Sequence, residues 1–197
     1  MSGARDAILA ALRKNAPATV ALPGFPEGMR YPDPPAQFLE SVRAVGGASL
    51  RVAGAGDLDA ALASLPVWAG ARSAVSLVPG AGRSTVDLAA ISDPHELEGL
   101  EVAAIRGSLG VAENGAVWVS GRDLGPHRAV FVIVEHLVLV VNAADVVSNM
   151  QEAYARIDLE RPGYGLFIAG PSKTADIEQA LVIGAHGARS CTVIVVG

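Results

Sequence analysis

The sequence holds a single cysteine, Cys191. An iron–sulfur cluster needs about four cysteine ligands, and a structural zinc site usually takes several cysteines or histidines. The chain therefore cannot hold a cluster by itself. Cys191 opens the apolar run Thr192 to Val196 and reads as a small buried hydrophobe, not as a nucleophile. One unpaired thiol also suits a reduced, cytoplasmic compartment. Lysine is nearly as scarce, with Lys14 and Lys173 the only two among 15 basic residues. No basic cluster occurs and the formal net charge is −5, which argues against a nucleic-acid partner.

Long apolar runs are missing as well. The most apolar region, Ala129 to Val141, is interrupted by Glu135-His136 and is too short on either side for a membrane helix. Met1 to Lys14 alternates charge with alanine and leucine, which is not the pattern of a signal peptide. The nucleotide-binding motifs fail at defined places. Gly54-x-Gly56 has Asp59 where the third glycine of a dinucleotide loop belongs, and Gly80-Ala81-Gly82 has Thr85 there. Gly165 and Gly170 have the spacing of a Walker loop, but Pro171 stands in place of its lysine. The histidines His95, His127, His136 and His186 show no metal-binding spacing, since His95-Glu96 is followed by Gly99 where a zincin needs histidine.

What remains is rich in apolar residues, 51% of 197, enough for one domain with a large core. Arg5 to Lys14 has helical spacing through Ile8, Leu9 and Leu12, and Asn15 and Pro17 stop it. Ala16 to Pro35 holds Pro17, Pro23, Pro26, Pro32, Pro34 and Pro35, an extended arm or lid. Residues 1–35 are thus an appendage, a plain leader or a piece that packs on a partner, and residues 36–197 the domain. Ala36 to Val45 is an amphipathic helix closed by Gly46-Gly47. Ser49 to Ala53 and Ala74 to Val78 are strands around a helix from Asp57 to Leu65, the start of a β-α-β pattern.

Ser108 to Glu113 and Ala116 to Ser120 form a hairpin whose Asn114-Gly115 suits a type I′ turn. Ala129 to Val134 and Leu137 to Val141 are two further strands. Ala143-Ala144-Asp145 leads into a helix through Val146, Val147, Met150, Ala153, Tyr154 and Ile157. A strand from Leu166 to Ala169, a helix from Asp176 to Ile183 and a strand from Thr192 to Val196 complete the pattern. The expected fold class is α/β, three layers α/β/α with a mixed, mostly parallel sheet.

The stretch Leu166 to Glu178 carries the chemistry. Gly170-Pro171 ends the strand, and Ser172, Thr174 or Asp176 opens the helix. Such a loop lies where ligands collect, and the helix N-terminus favours an anion. Ser172 and Thr174 either cap the helix or donate hydroxyls to a carboxylate or phosphate. Lys173 offers an ammonium, or is one more exposed lysine. Asp176 and Glu178 either suit the helix dipole or bind ligand, and Glu113, at the end of a strand, is either a surface residue or a general base. His186, followed by His136, is the histidine favoured for the cleft, and either is otherwise a hydrogen-bonded structural residue.

Gly170-Pro171-Ser172, Thr174 and Asp176-Ile177-Glu178 closely resemble the signature of the LUD-domain family of lactate-utilisation proteins. Ala112-Glu113-Asn114-Gly115 before an apolar strand, His136 opening Leu137 to Val141, and Gly184-Ala185-His186-Gly187 ahead of the last strand agree with it. The LutC-like (YkgG-type) branch is the best match. Ala188 stands where the family usually has proline after His-Gly, and the segment before the Glu-Asn-Gly motif is shorter than in many relatives.

The resemblance implies a fold similar to the NagB/RpiA/CoA-transferase-like group of isomerases, deaminases and transferases. It implies a cluster-free component of a system oxidising L-lactate to pyruvate, with no cofactor of its own and iron–sulfur proteins as partners. The ligand-binding set it suggests is Gly170, Pro171, Ser172, Thr174, Asp176, Glu178, His186 and His136, with Glu113 as the residue for covalent chemistry and no metal. The alternative is a stand-alone enzyme of the same fold group, binding a phosphorylated or acyl-thioester ligand with Glu113 as base or nucleophile.

Overall fold

The runs His136–Asn142 and Ser190–Val196 are apolar at nearly every position, so neither has a face fit for water, and each must be covered on both sides. In the computed structural model of the chain they are adjacent interior strands of a five-stranded sheet. The structure describes the chain apart from Met1, Leu22, Phe25 and residues 158–162 and 176–180.

In chain order the elements are α1 (Ser2–Lys14), α2 (Pro34–Ala44), β1 (Ala48–Val52), α3 (Leu58–Ser64), α4 (Pro66–Ala69), β2 (Ala74–Ser76) and β3 (Val102–Arg106). Then come β4 (Leu109–Val111), β5 (Ala116–Ser120), α5 (Val130–Ile133), β6 (His136–Asn142), β7 (Val146–Val147) and α6 (Met150–Arg156). β8 (Gly165–Ile168), β9 (Lys173–Ala175), β10 (Leu181–Ile183) and β11 (Ser190–Val196) follow.

The main sheet has the order β1-β11-β6-β3-β2, and every pairing in it is parallel. Alternation along β6 and β11 feeds two cores. Leu137, Leu139, Val141, Cys191, Val193 and Val195 meet Phe38 and Val42 of α2 and Val117 and Val119 of β5. Val138, Val140 and Ile194 meet Leu58, Leu62 and Trp68 from α3 and α4. A second sheet, β7-β4-β5-β8, is antiparallel except where β4 meets β7. It buries one face against the main sheet, and Leu109, Val111 and Ala116 pack with Val147 and with Ala153 of α6. The α/β class and the mostly parallel central sheet agree with the sequence.

Several local expectations are corrected. Ala129 to Val134 is not a strand: Val130 and Val134 are buried one helical turn apart while Val132 is 42% exposed, the signature of the short helix α5. Val146 and Val147 form β7, and α6 starts only after Asn149, whose side chain caps it by accepting from Glu152 N–H at 3.0 Å. The expected helix from Asp176 to Ile183 is overturned at its end, where Leu181, Val182 and Ile183 pair antiparallel with β9. Its first half, from Asp176, falls outside the described residues. β1 and β2 are the two edges of the main sheet and do not pair.

The hairpin exists with a different turn. β4 and β5 close at Val111 and Ala116, so Ala112-Glu113-Asn114-Gly115 forms a four-residue loop in place of the two-residue type I′ turn. Gly115 alone takes the left-handed conformation, φ +69°, and its N–H donates to Val111 O. A Cβ there would lie 2.7 Å from Val42 N and 2.8 Å from Ser41 C of α2. Gly115→Ala is expected to cost more than the roughly 1–2 kcal/mol of a left-handed L-residue, because the helix backbone cannot yield to a methyl group. A lower urea midpoint at an unchanged denaturant slope would show it, and an unshifted midpoint would contradict this packing.

Candidate functional site

β5 and β8 run antiparallel with Val117 opposite Ile168, so the loop before β5 and the loop after β8 emerge at the same end of the second sheet. Both rest on α2. Gly115 sits on Ser41 and Val42, and Ser41 Oγ donates to Ala112 O at 2.6 Å in a buried setting. Gly170, at φ +72°, is so close to the end of α2 that a Cβ would lie 2.5 Å from Val45 O. The two footholds are three to four residues apart, about one helical turn or 5 Å. The Glu113 loop and the Gly170 loop therefore do share an end.

Glu113 turns away from Gly170 toward α6. Its Oε1 accepts from Met150 N–H at 2.9 Å and its own N–H donates to Ser148 O at 3.1 Å. A carboxylate suits the first turn of a helix, where N–H groups lack intrahelical partners. In this structure Glu113 thus ties the hairpin to α6. The same corner holds two buried polar residues that were not singled out from sequence, Ser148 and Asn149. The Pro-rich arm crosses above them. Tyr31 N–H donates to Ser148 Oγ at 3.2 Å, and Asn149 Nδ2 donates to Met29 O at 2.9 Å. The pattern Asn149-x-x-Glu152 ahead of an apolar run was the available signal, since it is that of a capped helix start.

The Gly170 loop differs from expectation in its electrostatics. Lys173 to Ala175 is the strand β9, with Thr174 opposite Val182. Ser172 N–H donates to Ala188 O and Ser172 O accepts from Gly184 N–H, both at 2.9 Å. Ser172 is thereby tied through both its N–H and its carbonyl, and the loop meets the carbonyl end of α2, where Lys173 Nζ donates to Val45 O. That end carries partial negative charge and suits a cation. Pro171 is buried, and Ser172 and Thr174 are half-buried. Asp176 and Glu178 lie outside the described residues.

His136 is the first residue of β6, and its Nδ1 lies 2.8 Å from the hydroxyl of Ser190, its register partner on β11. His186 is exposed on the turn just before Gly187. A Cβ at Gly187 would come within 3.1 Å of Ser172 Cβ, so Ser172, Gly187 and the His136–Ser190 pair gather near the amino ends of β6 and β11. Ligands of open parallel sheets bind at the carboxyl ends, which here are Asn142 and Val196. Ion pairs flank the cluster, Glu135 with Arg189 at 3.8 Å and Glu101 with Arg72 at 3.2 Å. The Arg72 backbone N–H, 2.7 Å from Oε2, holds the Glu101 carboxyl below its usual range.

Two further features bear on chemistry. A depression of about 560 Å³ beside β2 is lined by Ser76, Ser84, Thr85 and Asp87 among others. Its hydroxyls are engaged from the strand side, since Ser84 Oγ accepts from Ser76 N–H and Thr85 Oγ1 from Ala74 N–H, both at 2.9 Å. They serve the open edge of β2. Among the described residues no three His, Cys, Asp or Glu side chains are placed to hold a metal. Cys191 is buried, and burial pushes its thiol from the ordinary 9.0 up to about 12.

Two outcomes follow. Glu113→Ala should lower stability by about 1 kcal/mol, the worth of a cap, while Glu113→Gln, which keeps an acceptor oxygen, should lose less. Equal unfolding midpoints for both variants and the parent would refute the capping role. Native Cys191 should stay unreactive toward a thiol reagent at pH 8 and react on unfolding. As its neutral form is favoured in the fold, stability is fully present below pH 9.0 and falls as the pH rises toward about 12. Rapid labelling of the native chain would contradict the burial.

Residues 102–196 match the family model of the LUD domain. The chain is similar to lactate utilization protein C of Geobacillus kaustophilus, 32% identical over 124 residues that make up 60% of this chain and 48% of that one. It is likewise similar to the proteins of that name from Geobacillus sp. (strain WCH70), 33% identical over 59% of this chain and 47% of the relative, and from Shouchella clausii, 31% identical over 51% and 46%. The chain spans about half the length of the curated relatives it matches. In fold it is similar to a DUF162 family protein from Deinococcus radiodurans, with a TM-score of 0.58 at 20% identity over 82% of this chain and 95% of that one. The sequence signature and these matches together make residues 102–196 similar to the LUD domain and the chain similar to proteins of the LutC-like type.

Proposed function

We propose that the chain is the cluster-free component of an L-lactate utilisation system, acting beside proteins that carry iron–sulfur clusters. The observation that carries this reading is its similarity to several proteins named lactate utilization protein C. Oxidation of L-lactate to pyruvate releases two electrons and two protons, and the electrons need an acceptor. Cluster ligation takes thiolates, whereas the sole thiol here is buried and held neutral well above physiological pH. The acceptor is therefore assigned to partner proteins, and this chain is given substrate binding or support of the complex. Ligand contacts are assigned to Ser172, Thr174, His186 and His136, three of which are half-buried and one exposed.

The stand-alone enzyme reading, with a phosphorylated or acyl-thioester ligand and Glu113 as base or nucleophile, has less support. The Glu113 carboxylate is engaged by the Met150 N–H, and the Gly170 loop meets the carbonyl end of a helix, a poor place for phosphate.

The test is L-lactate-dependent dye reduction by purified iron–sulfur partners under anaerobic conditions, with and without the chain. Reduction that needs the chain is the expected result. Partners that are fully active alone would remove the obligatory role in lactate oxidation. Thermal stabilisation by a phosphorylated or acyl-thioester ligand, and none by L-lactate, would transfer support to the stand-alone enzyme.

A further inference from the structure

Most of the large hydrophobic side chains that the described residues expose belong to two segments. At the N-terminus these are Ile8 and Leu12 of α1, 62% and 63% exposed, followed by Val20 and Met29 of the arm. The other segment is β10, where Leu181, Val182 and Ile183 are 60%, 50% and 52% exposed. Neither segment is stable by its own means. A helix of 13 residues is marginal in water, and so is a ribbon of two strands. Each needs a cover, and within one chain neither covers the other.

The two surfaces are complementary in kind. Ile8, Leu9 and Leu12 lie along one side of α1 by helical spacing, and Leu181 and Ile183 share a face of β10 by strand alternation. The arm after α1 supplies reach, because the stretch from Asn15 to Gly28 has no regular structure among its described residues and can span about 45 Å when extended.

We infer that α1 of one chain docks on the β9–β10 ribbon of a second copy, reciprocally about a two-fold axis. α1 covers Leu181 and Ile183, and Val20 of the following arm reaches Val182 on the other face. The six side chains Ile8, Leu12, Val20, Leu181, Val182 and Ile183 each remove on the order of 100 Å² from water. The pair of chains then buries roughly 1,200 Å², the lower bound for a specific dimer. Two-fold reciprocity closes the contact, where a one-way exchange would propagate into chains. This inference is independent of the proposed role in lactate utilisation.

The experiment is light scattering of the full chain at tens of micromolar, with two double variants, Ile8→Glu/Leu12→Glu and Leu181→Glu/Ile183→Glu. All four positions are exposed in the single chain, so the unfolding midpoint of the domain should hold in both and report folding. The parent is expected to be a dimer, and each variant alone a monomer, with self-association weakened at least tenfold. An equimolar mixture of the variants should associate more than either variant alone and less than the parent, because it restores one of the two helix–ribbon contacts. A monomeric parent overturns the inference. So does a helix variant that still dimerises, since the contact is then ribbon on ribbon, or a ribbon variant that still dimerises, since it is then helix on helix. A mixture that associates no more than either variant alone refutes the docking of α1 on the ribbon.

Discussion

The close approach of backbone to α2 is the constraint on which the rest of this structure depends. Four glycines make it possible, drawn from separate parts of the chain. A Cβ at Gly47 would lie 2.9 Å from Val42 Cγ1, at Gly110 3.1 Å from the Phe38 ring, at Gly115 2.7 Å from Val42 N and at Gly170 2.5 Å from Val45 O. With Phe38 and Val42 wholly buried, the helix is gripped between the main sheet and the end of the second. The family motifs Glu-Asn-Gly and Gly-Pro-Ser each contribute one of these contacts. Their glycines are explained by packing before any ligand is invoked, which is the stronger reason for a residue without a side chain to hold its place.

The electrostatic consequence concerns where an anion is welcome. The loop at Gly170 shares its space with the carbonyl end of α2, and Lys173 answers that charge. The polar residues next to it, Ser172 with the His136–Ser190 pair, gather where β6 and β11 begin. Ion pairs on either side leave their outer atoms in water, where such pairs contribute little to stability. What this end of the sheet offers is a row of hydrogen-bonding groups held in fixed register by parallel strands.

The parallel strands were legible because burial on both faces leaves an uninterrupted apolar run, and Leu137 to Val141 and Thr192 to Val196 show it plainly. The hairpin was legible in Asn114-Gly115, although its loop is longer than the dipeptide suggests: Gly115 alone takes the left-handed turn while Asn114 Oδ1 accepts from Ala116 N–H. Ala129 to Val134 misled because a run of β-branched residues reads as a strand whatever its surroundings, and only the burial of Val130 and Val134 with Val132 outside reveals the helical turn. At Gly170 the error had another source. Serine, threonine and aspartate after a strand are helix-opening residues, and nothing local says that Ser172 finds its partners at Ala188 and Gly184. Tertiary pairing decided the matter, as it did for Glu113, whose partner at Met150 lies 37 residues away.

The cradle around α2 also orders events in time. The helix is made early in synthesis, at residues 34–44, yet the contacts that grip it come from Gly110, Gly115 and Gly170. Closing those loops early costs entropy that is recovered only when the later segments exist. On a ribosome, Phe38 and Val42 must therefore wait, exposed, until more than 70 further residues have been made, as the intervals to Gly110 and Gly115 require. During that wait the apolar face of this early helix is a part of the nascent chain in need of a chaperone.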